Sequence, residues 1–241
     1  MDKTFLTWYE ILILTILPFY FLVNNDSWME EWKQVAYSGT ESSENKYFAS
    51  GIYDPKGKKI KITFNKDRTL TFSPNSTADI IELANGMAKT KIGLQTLKLM
   101  NASNTKISLE IDKLNVILNT DESYIAAETY PIITIPINEY GQPIGSKSIF
   151  KARIVIYEAA IKDMAAKNGE KILINGVDIE TKHFSISDIL SSFSIHEFIH
   201  ILDNKSSGSL NPMATKIQLE KKPYEIQLQH FKELEEQKSV K

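Results

Sequence analysis

Hydrophobic and polar residues alternate with a period of two in the first patterned part of the chain, which begins near Gly51. Residues 59–64 read KIKITF and residues 69–72 read TLTF. The residues between them, 65–68 (NKDR), are typical of a turn, because Asn and Asp favour tight reversals of the backbone. The pattern predicts a β-hairpin whose lysine-bearing face is exposed to solvent.

Apolar residues three or four positions apart, which are typical of helices, follow the hairpin in several segments. They predict helices over about residues 77–87, 92–100, 150–164, 188–203 and 213–236. The further predicted strands are Lys106–Ile111, Asn115–Leu118, Pro131–Ile137 and Lys171–Ile174. Mixed strands with segregated helices indicate an α+β domain with a small mixed sheet.

The N-terminal part of the chain carries almost no charge. Within residues 5–23 the single charged residue is Glu10, and a transmembrane helix needs about 20 apolar residues. Residues 1–25 are therefore interpreted as a membrane anchor or uncleaved signal, as a cleaved signal, or as a buried segment of the fold. Residues 26–50 are polar and predict a linker, and residues 51–241 form the predicted domain.

The composition narrows the chemistry that this domain can use. The chain has 241 residues and a formal net charge of -2, so no nucleic-acid partner is expected. It has no cysteine, which excludes disulfides, thiolate nucleophiles and cysteine-bound zinc. A metal ion would have to be held by carboxylates and by some of the 4 histidines.

Two of these histidines stand in the string His196-Glu197-Phe198-Ile199-His200, which has the form HExxH. On a helix, His196 and His200 lie on one face and can bind one metal ion. Glu197 is rotated by about 100° from His196, where a carboxylate can take a proton from bound water. The motif predicts a catalytic zinc site. A zinc site without catalysis, or two ordinary hydrogen-bonded histidines, are the alternatives.

A third metal ligand is needed from elsewhere in the chain. The longer signature HExxHxxGxxH is absent, because Asp203 and Ser206 occupy its Gly and last His positions. The ligand is therefore expected from the last predicted helix, where the candidates are Glu220, Glu225 and His230.

The order of these candidates depends on where the last helix begins. Glu220, Tyr224 and Gln227 are spaced to form one polar stripe, which favours Glu220 as the ligand. Pro223 could instead be the first residue of the helix, and that start would favour Glu225.

Three other side chains are candidates for supporting roles. Asp203 lies three residues past His200 on the same helical face, where it can accept the second N–H of a metal-bound histidine or simply be solvated. Tyr224 and His183 can stabilise the oxyanion formed when water adds to a peptide carbonyl. A packed tyrosine and a surface histidine are the simpler interpretations of these two.

The motifs together resemble a known family. HEFIHILD, followed after a short linker by ExxPYxxQxxH, resembles the zinc metallopeptidase domains at the C-termini of bacterial RHS-type polymorphic toxins, including the NleD-like effector peptidases. The hairpin KITFNKDRTLTF and the helix ending AKTKIGLQTLKLM are similar to the upstream part of those domains. The resemblance covers residues 51–241 and implies a zincin-like fold with Glu220 as third ligand, although Pro223 stands where Ala is usual.

The sequence therefore predicts a zinc-dependent, gluzincin-like metalloendopeptidase with His196, His200 and Glu220 on Zn²⁺ and Glu197 as general base. Its expected partner is a protein or peptide substrate. The resemblance adds a bacterial toxin or effector role and an immunity protein, and residues 5–23 add membrane association or secretion. The alternatives are a non-catalytic, membrane-anchored interaction protein with a structural zinc site, and another zinc-dependent amide hydrolase.

Overall fold

The computed structural model describes residues 51–239 except for 68, 75, 104, 135–137, 139, 141, 143–147 and 207–215. It describes the backbone alone for residues 133, 134, 148, 150, 203–206 and 216–218. The predicted hydrophobic segment, 1–25, and the predicted linker, 26–50, lie outside the described residues. Among the residues that are described, no helix has both the length and the apolar character needed to cross a membrane.

Short strands and longer helices alternate along the described chain. The strands are β1 (Gly51–Tyr53), β2 (Lys59–Ile60), β3 (Ile62–Phe64), β4 (Leu70–Phe72), β5 (Lys106–Asp112), β6 (Ile117–Leu118), β7 (Tyr124–Ile125), β8 (Ala127–Thr134), β9 (Ser148–Tyr157), β10 (Lys171–Ile174) and β11 (Val177–Glu180). The α-helices are α1 (Ala78–Ala88), α2 (Lys91–Asn101), α3 (Glu158–Lys167), α4 (Ile186–Ser206) and α5 (Lys216–Ser239). The predicted α+β class is confirmed.

A five-stranded mixed sheet, in the order β2-β1-β5-β9-β8, forms the centre of the fold. β5 pairs in parallel with β1 and with β9, whereas β8 pairs antiparallel with β9. The predicted N-terminal hairpin is confirmed as β3 and β4, with Ile62 opposite Phe72. β6 with β7 and β10 with β11 form two further antiparallel pairs.

The prediction of a helix beginning at residue 150 was wrong. Residues 148–157 form β9, and α3 begins only at Glu158. Ile154 and Ile156 belong to the main core, whereas Val155 and Tyr157 belong to a second apolar cluster. Because successive side chains of a strand point to opposite faces, both faces of β9 are covered, and the β-branched run IVI suits such a strand.

Helix α4, which carries the HExxH string, is surrounded by other elements. It packs against β8 and β9 and also against α1, α2 and α5. Small side chains allow α1 to approach closely: a Cβ atom on Gly86 would lie 2.2 Å from Oγ of Ser191. No side chain fits at Gly86 without displacing α4, so this glycine helps to fix the position of the helix.

Candidate metal centre

His196 and His200 lie one turn apart on α4. Their ring centroids are 4.9 Å apart, and their Nε2 atoms are 3.1 Å apart. His196 is buried and His200 is partly buried. The helical repeat alone places the two rings side by side, as the sequence pattern predicted.

Glu220 on α5 completes a cluster with the two histidines. Its Oε2 atom lies 2.9 Å from Nε2 of His196 and 3.4 Å from Nε2 of His200. Among the described residues, these three side chains form the group of histidine and acidic residues whose ligand atoms could hold a metal ion. The candidate that the sequence favoured is thus the carboxylate that lies beside the histidine pair.

The position of Glu220 depends on α5 continuing through a proline. The interpretation of Pro223 as the first residue of the helix was wrong, because α5 begins at Lys216 and Pro223 lies inside it. A proline cannot donate the helical hydrogen bond to the carbonyl four residues earlier, yet the helix persists around it. Glu220, Tyr224 and Gln227 therefore share the helical face that meets α4.

The charge of Glu220 is strongly favoured by its neighbours. Burial alone would raise the pKa of this carboxyl group. The close contacts of its carboxylate with the ring nitrogens of His196 and His200, and the positive charge that these rings can carry, nevertheless hold its pKa far below the ordinary range. Glu220 is therefore a negatively charged carboxylate at neutral pH.

Glu197 follows His196 on α4 and is buried, with 7 % of its surface exposed. Burial raises its pKa, while the charges of His196 and His200 and a hydrogen bond from Thr129 act in the opposite direction. The Thr129 hydroxyl on β8 donates this hydrogen bond to Oε2 of Glu197 over 2.6 Å. A strand of the main sheet thus fixes one oxygen of the carboxylate, and a pKa raised by burial is a common property of carboxyl groups that act as general acids or bases.

Tyr224 lies at the same face of α5. Its ring centroid is 4.6 Å from that of His196, with the rings at 63°. Burial, and then the negative charges of Glu220 and Glu197, raise the pKa of its phenol. Tyr224 therefore keeps its proton at neutral pH and can act as a hydrogen-bond donor.

The remaining sequence candidates lie elsewhere. Glu225 is exposed on α5, with Lys221 at 4.0 Å, and His183 is exposed beside Glu180 at 3.6 Å. His230 is fully buried, but its Nδ1 contacts the Thr90 hydroxyl. Asp203 lies in the last part of α4, and its side chain is outside the described residues.

The sequence did not predict the hydrogen-bonding contacts that hold Glu197 and His196 in place. It assigned no role to Thr129, which lies 68 positions from Glu197 in the chain, so no local spacing could have connected the two. Gln227 was recognised only as part of a polar stripe, although its buried amide contacts Nδ1 of His196 at 3.1 Å. The one feature of the sequence that pointed to this contact was the helical spacing that places Gln227 on the same face as Glu220 and Tyr224.

Comparison with known proteins gives no relative for this arrangement. No protein-family model, no curated protein and no solved structure matches the chain. What is known of the site therefore comes from its own geometry, in which His196, His200 and Glu220 could hold a metal ion.

Proposed function

We propose that this chain is a zinc-dependent peptidase in which His196, His200 and Glu220 bind the metal and Glu197 is the general base. The observation that carries the proposal is the convergence of three ligand atoms from α4 and α5 beside a buried carboxylate that a threonine holds in place. The zincin-like identity of the fold belongs to the same proposal.

The donor atoms fit zinc. Two imidazole nitrogens and one carboxylate oxygen form a ligand set that catalytic zinc sites use, and three protein ligands leave a position open for water or substrate. Ligand atoms that share a tetrahedral zinc ion at about 2.0–2.1 Å lie about 3.3 Å apart. The three separations in this cluster are 2.9, 3.1 and 3.4 Å, which supports a small tetrahedral ion.

The side chains around the proposed metal ligands would have different roles in hydrolysis. A bound zinc ion would polarise the substrate carbonyl and lower the pKa of water to about 7. Glu197 would accept a proton from the attacking water and deliver it to the leaving amine nitrogen. Thr129 restrains Oε2 of Glu197, and the protonated phenol of Tyr224 is available to donate to the oxyanion.

The position of the site beside the main sheet favours a peptide as substrate. Thr129 belongs to β8, which is the last strand in the order of the sheet. In the described part of the chain, β8 therefore has one backbone edge without a strand neighbour. An extended peptide can form backbone hydrogen bonds with such an edge, which would bring a peptide bond close to Glu197.

The resemblance to RHS-type toxin and NleD-like effector peptidases adds a narrower proposal, a toxin or effector role. It rests on HEFIHILD and ExxPYxxQxxH in the sequence.

A substitution of the general base tests the proposed function. The full chain and its Glu197→Gln variant are compared for bound zinc and for cleavage of a library of internally quenched peptides. We expect about one zinc ion per chain in both proteins, with hydrolysis lowered by roughly 10²–10⁴-fold in the variant. Removing zinc with a chelator should abolish hydrolysis, and adding zinc should restore it.

Glu225→Gln is the matched control, because it removes an exposed carboxylate from α5. This variant should retain both zinc and hydrolysis. Cleavage that survives in Glu197→Gln, or a wild-type chain that takes up no zinc, would contradict the proposal.

A further inference from the structure

Next to the cluster of His196, His200 and Glu220, helices α4 and α5 are joined by a series of hydrogen bonds between buried polar groups. Gln227 on α5 and Ser192 on α4 are both fully buried. The Gln227 amide lies between Nδ1 of His196, at 3.1 Å, and Oγ of Ser192, at 3.3 Å. Burying an amide costs free energy unless both its oxygen and its nitrogen form hydrogen bonds. The direction of each hydrogen bond in this series is therefore constrained by its neighbours.

This series of hydrogen bonds ends at a backbone carbonyl, which can only accept a hydrogen bond. The Ser192 hydroxyl lies 2.7 Å from the carbonyl oxygen of Ile189 and donates its single proton there. Towards Gln227, the Oγ atom of Ser192 is consequently an acceptor. The nitrogen of the amide must face Ser192, because the opposite orientation would require Ser192 to give up its bond to Ile189.

The orientation of the amide determines which nitrogen of His196 carries a proton. With its nitrogen directed to Ser192, Gln227 presents Oε1 to His196. Oxygen is an acceptor, so Nδ1 of His196 must be the donor. In the neutral ring the lone pair is then left on Nε2, the atom that lies 2.9 Å from Glu220 and 3.1 Å from Nε2 of His200.

We propose that Gln227, anchored by Ser192, is a positioning residue that fixes His196 in the Nδ1–H tautomer and so keeps its Nε2 lone pair directed at a metal ion. The inference rests on the proposed function, because it concerns the same ligand. With Nε2 of His196 unprotonated, this nitrogen and Oε2 of Glu220 would face each other as two acceptors, and a bound cation would relieve their repulsion.

The tautomer can be measured directly in the full chain. Long-range ¹H–¹⁵N NMR of the metal-free protein, at a pH where the ring is neutral, distinguishes a protonated ring nitrogen from a bare one. We expect His196 to carry its proton on Nδ1. A proton found on Nε2 instead would overturn the proposal, whatever the protein does with metal.

Substitutions then test whether Gln227 is the cause. Gln227→Met keeps the size of the side chain and removes both polar ends, so the His196 tautomers should mix and zinc affinity should fall by roughly 10–100-fold. Gln227→Glu, with its buried carboxyl group protonated, keeps an acceptor at Nδ1 and a donor to Ser192, so it should restore the Nδ1–H tautomer and most of the zinc affinity. Affinity is measured by competition with a zinc-chelating indicator.

Two buried serines of α4 provide a matched pair. Ser192 and Ser194 are both fully buried, and each donates to a carbonyl of the preceding turn. Of the two, Ser192 is the one that also accepts from Gln227. Ser192→Ala should lower zinc affinity and disturb the tautomer, while Ser194→Ala should leave both unchanged.

The outcomes separate this inference from the proposed function. Equal effects of the two serine substitutions, or a Gln227→Met variant with the zinc affinity and tautomer of the wild type, would overturn the role of Gln227 and leave the peptidase proposal intact. A wild-type chain that takes up no zinc would overturn the peptidase proposal, and the NMR measurement would still decide the tautomer. If Gln227→Met does not fold, the wild-type tautomer and the serine pair remain decisive.

Discussion

Histidine side chains pack at two places along α5: His196 and His200, which α4 contributes, and His230 of α5 itself. The surroundings at the two places have opposite effects on a positive charge of the imidazole. Near the start of the helix, Glu220 lies within 3.4 Å of both His196 and His200. Ten residues further along the helix, the hydroxyl of Thr90 lies 2.6 Å from Nδ1 of His230, and within the described residues the buried Nε2 of His230 has no hydrogen-bond partner. The first place favours a positive charge or a cation, and the second excludes one.

The electrostatics of His230 follow from this difference. Burial lowers its pKa to about 4, and the negative charges of Asp188 and Glu233 only partly oppose the effect. His230 therefore stays neutral and joins α5 to Thr90, the residue that precedes α2. The comparison teaches that burial alone does not make a histidine a candidate metal ligand, whereas two imidazoles in contact with one carboxylate form a group that could hold a metal ion.

The largest expected effect comes from removing that carboxylate. Glu220→Gln keeps the size of the side chain but replaces a charged ligand by a neutral amide. Zinc affinity should fall by more than the factor of about 100 that the loss of an outer partner can cause, and peptide hydrolysis should be lost with it. Zinc affinity of the full chain is measured by competition with a chelating indicator.

Glu225→Gln supplies the control for this substitution. It makes the same chemical change on the same helix, but at an exposed position where the nearest cation is Lys221. Zinc affinity should stay at the wild-type level. Equal losses in the two variants would show that the charge of α5, rather than contact with the histidines, attracts the metal.

The grouping of His196, His200 and Glu220 could be predicted from the sequence, because local rules govern it. The i, i+4 spacing of His196 and His200 fixes their common face, and a polar stripe on the last helix favoured Glu220 over Glu225 and His230. Pro223 left a second start of that helix open, because proline is common at the first helical position. The helix instead runs through the proline from Lys216 to Ser239, as the prediction over residues 213–236 had it.

Contacts between distant parts of the chain could not be predicted. Thr129 reaches Glu197 from a strand that the sequence pattern placed four residues too late, beginning at Pro131 rather than at Ala127. The run of apolar residues before Glu158 fits both a helix and a doubly covered strand, and only the neighbours of β9 decide between them. His230 was a plausible ligand by residue type, and its burial against Thr90 depends on the packing of α5.

The second largest effect concerns stability at acid pH. The pKa of His230 is about 4 in the folded chain and about 6.5 when unfolded. Between these values the unfolded state binds the proton more readily, so stability is complete above pH 6.5 and is lost as the pH falls through 4. The loss from this group should reach about 3 kcal/mol.

His230→Gln isolates this contribution. Glutamine can still contact Thr90 but does not titrate, so the variant should lose less of its free energy of unfolding between pH 7.5 and pH 4.5 than the wild type. Urea unfolding of the metal-free chains measures the difference, in which the titration of other groups cancels. An identical pH dependence in both proteins would show that His230 has no lowered pKa.

The smallest effect tests whether the buried Glu197 needs its partner. Thr129→Val keeps the shape of the side chain and removes the hydroxyl that holds Oε2 of Glu197. The carboxylate would then resemble His230 in having a buried atom without that hydrogen bond, which costs about 1–3 kcal/mol. Because the loss falls on the base and not on the metal ligands, kcat should drop by roughly 10-fold while zinc affinity stays constant.

Thr129→Ser restores the hydroxyl and should restore kcat. A valine variant that loses zinc, or a serine variant as slow as the valine one, would mean that Thr129 supports the packing of β8 on α4 and does not position the base.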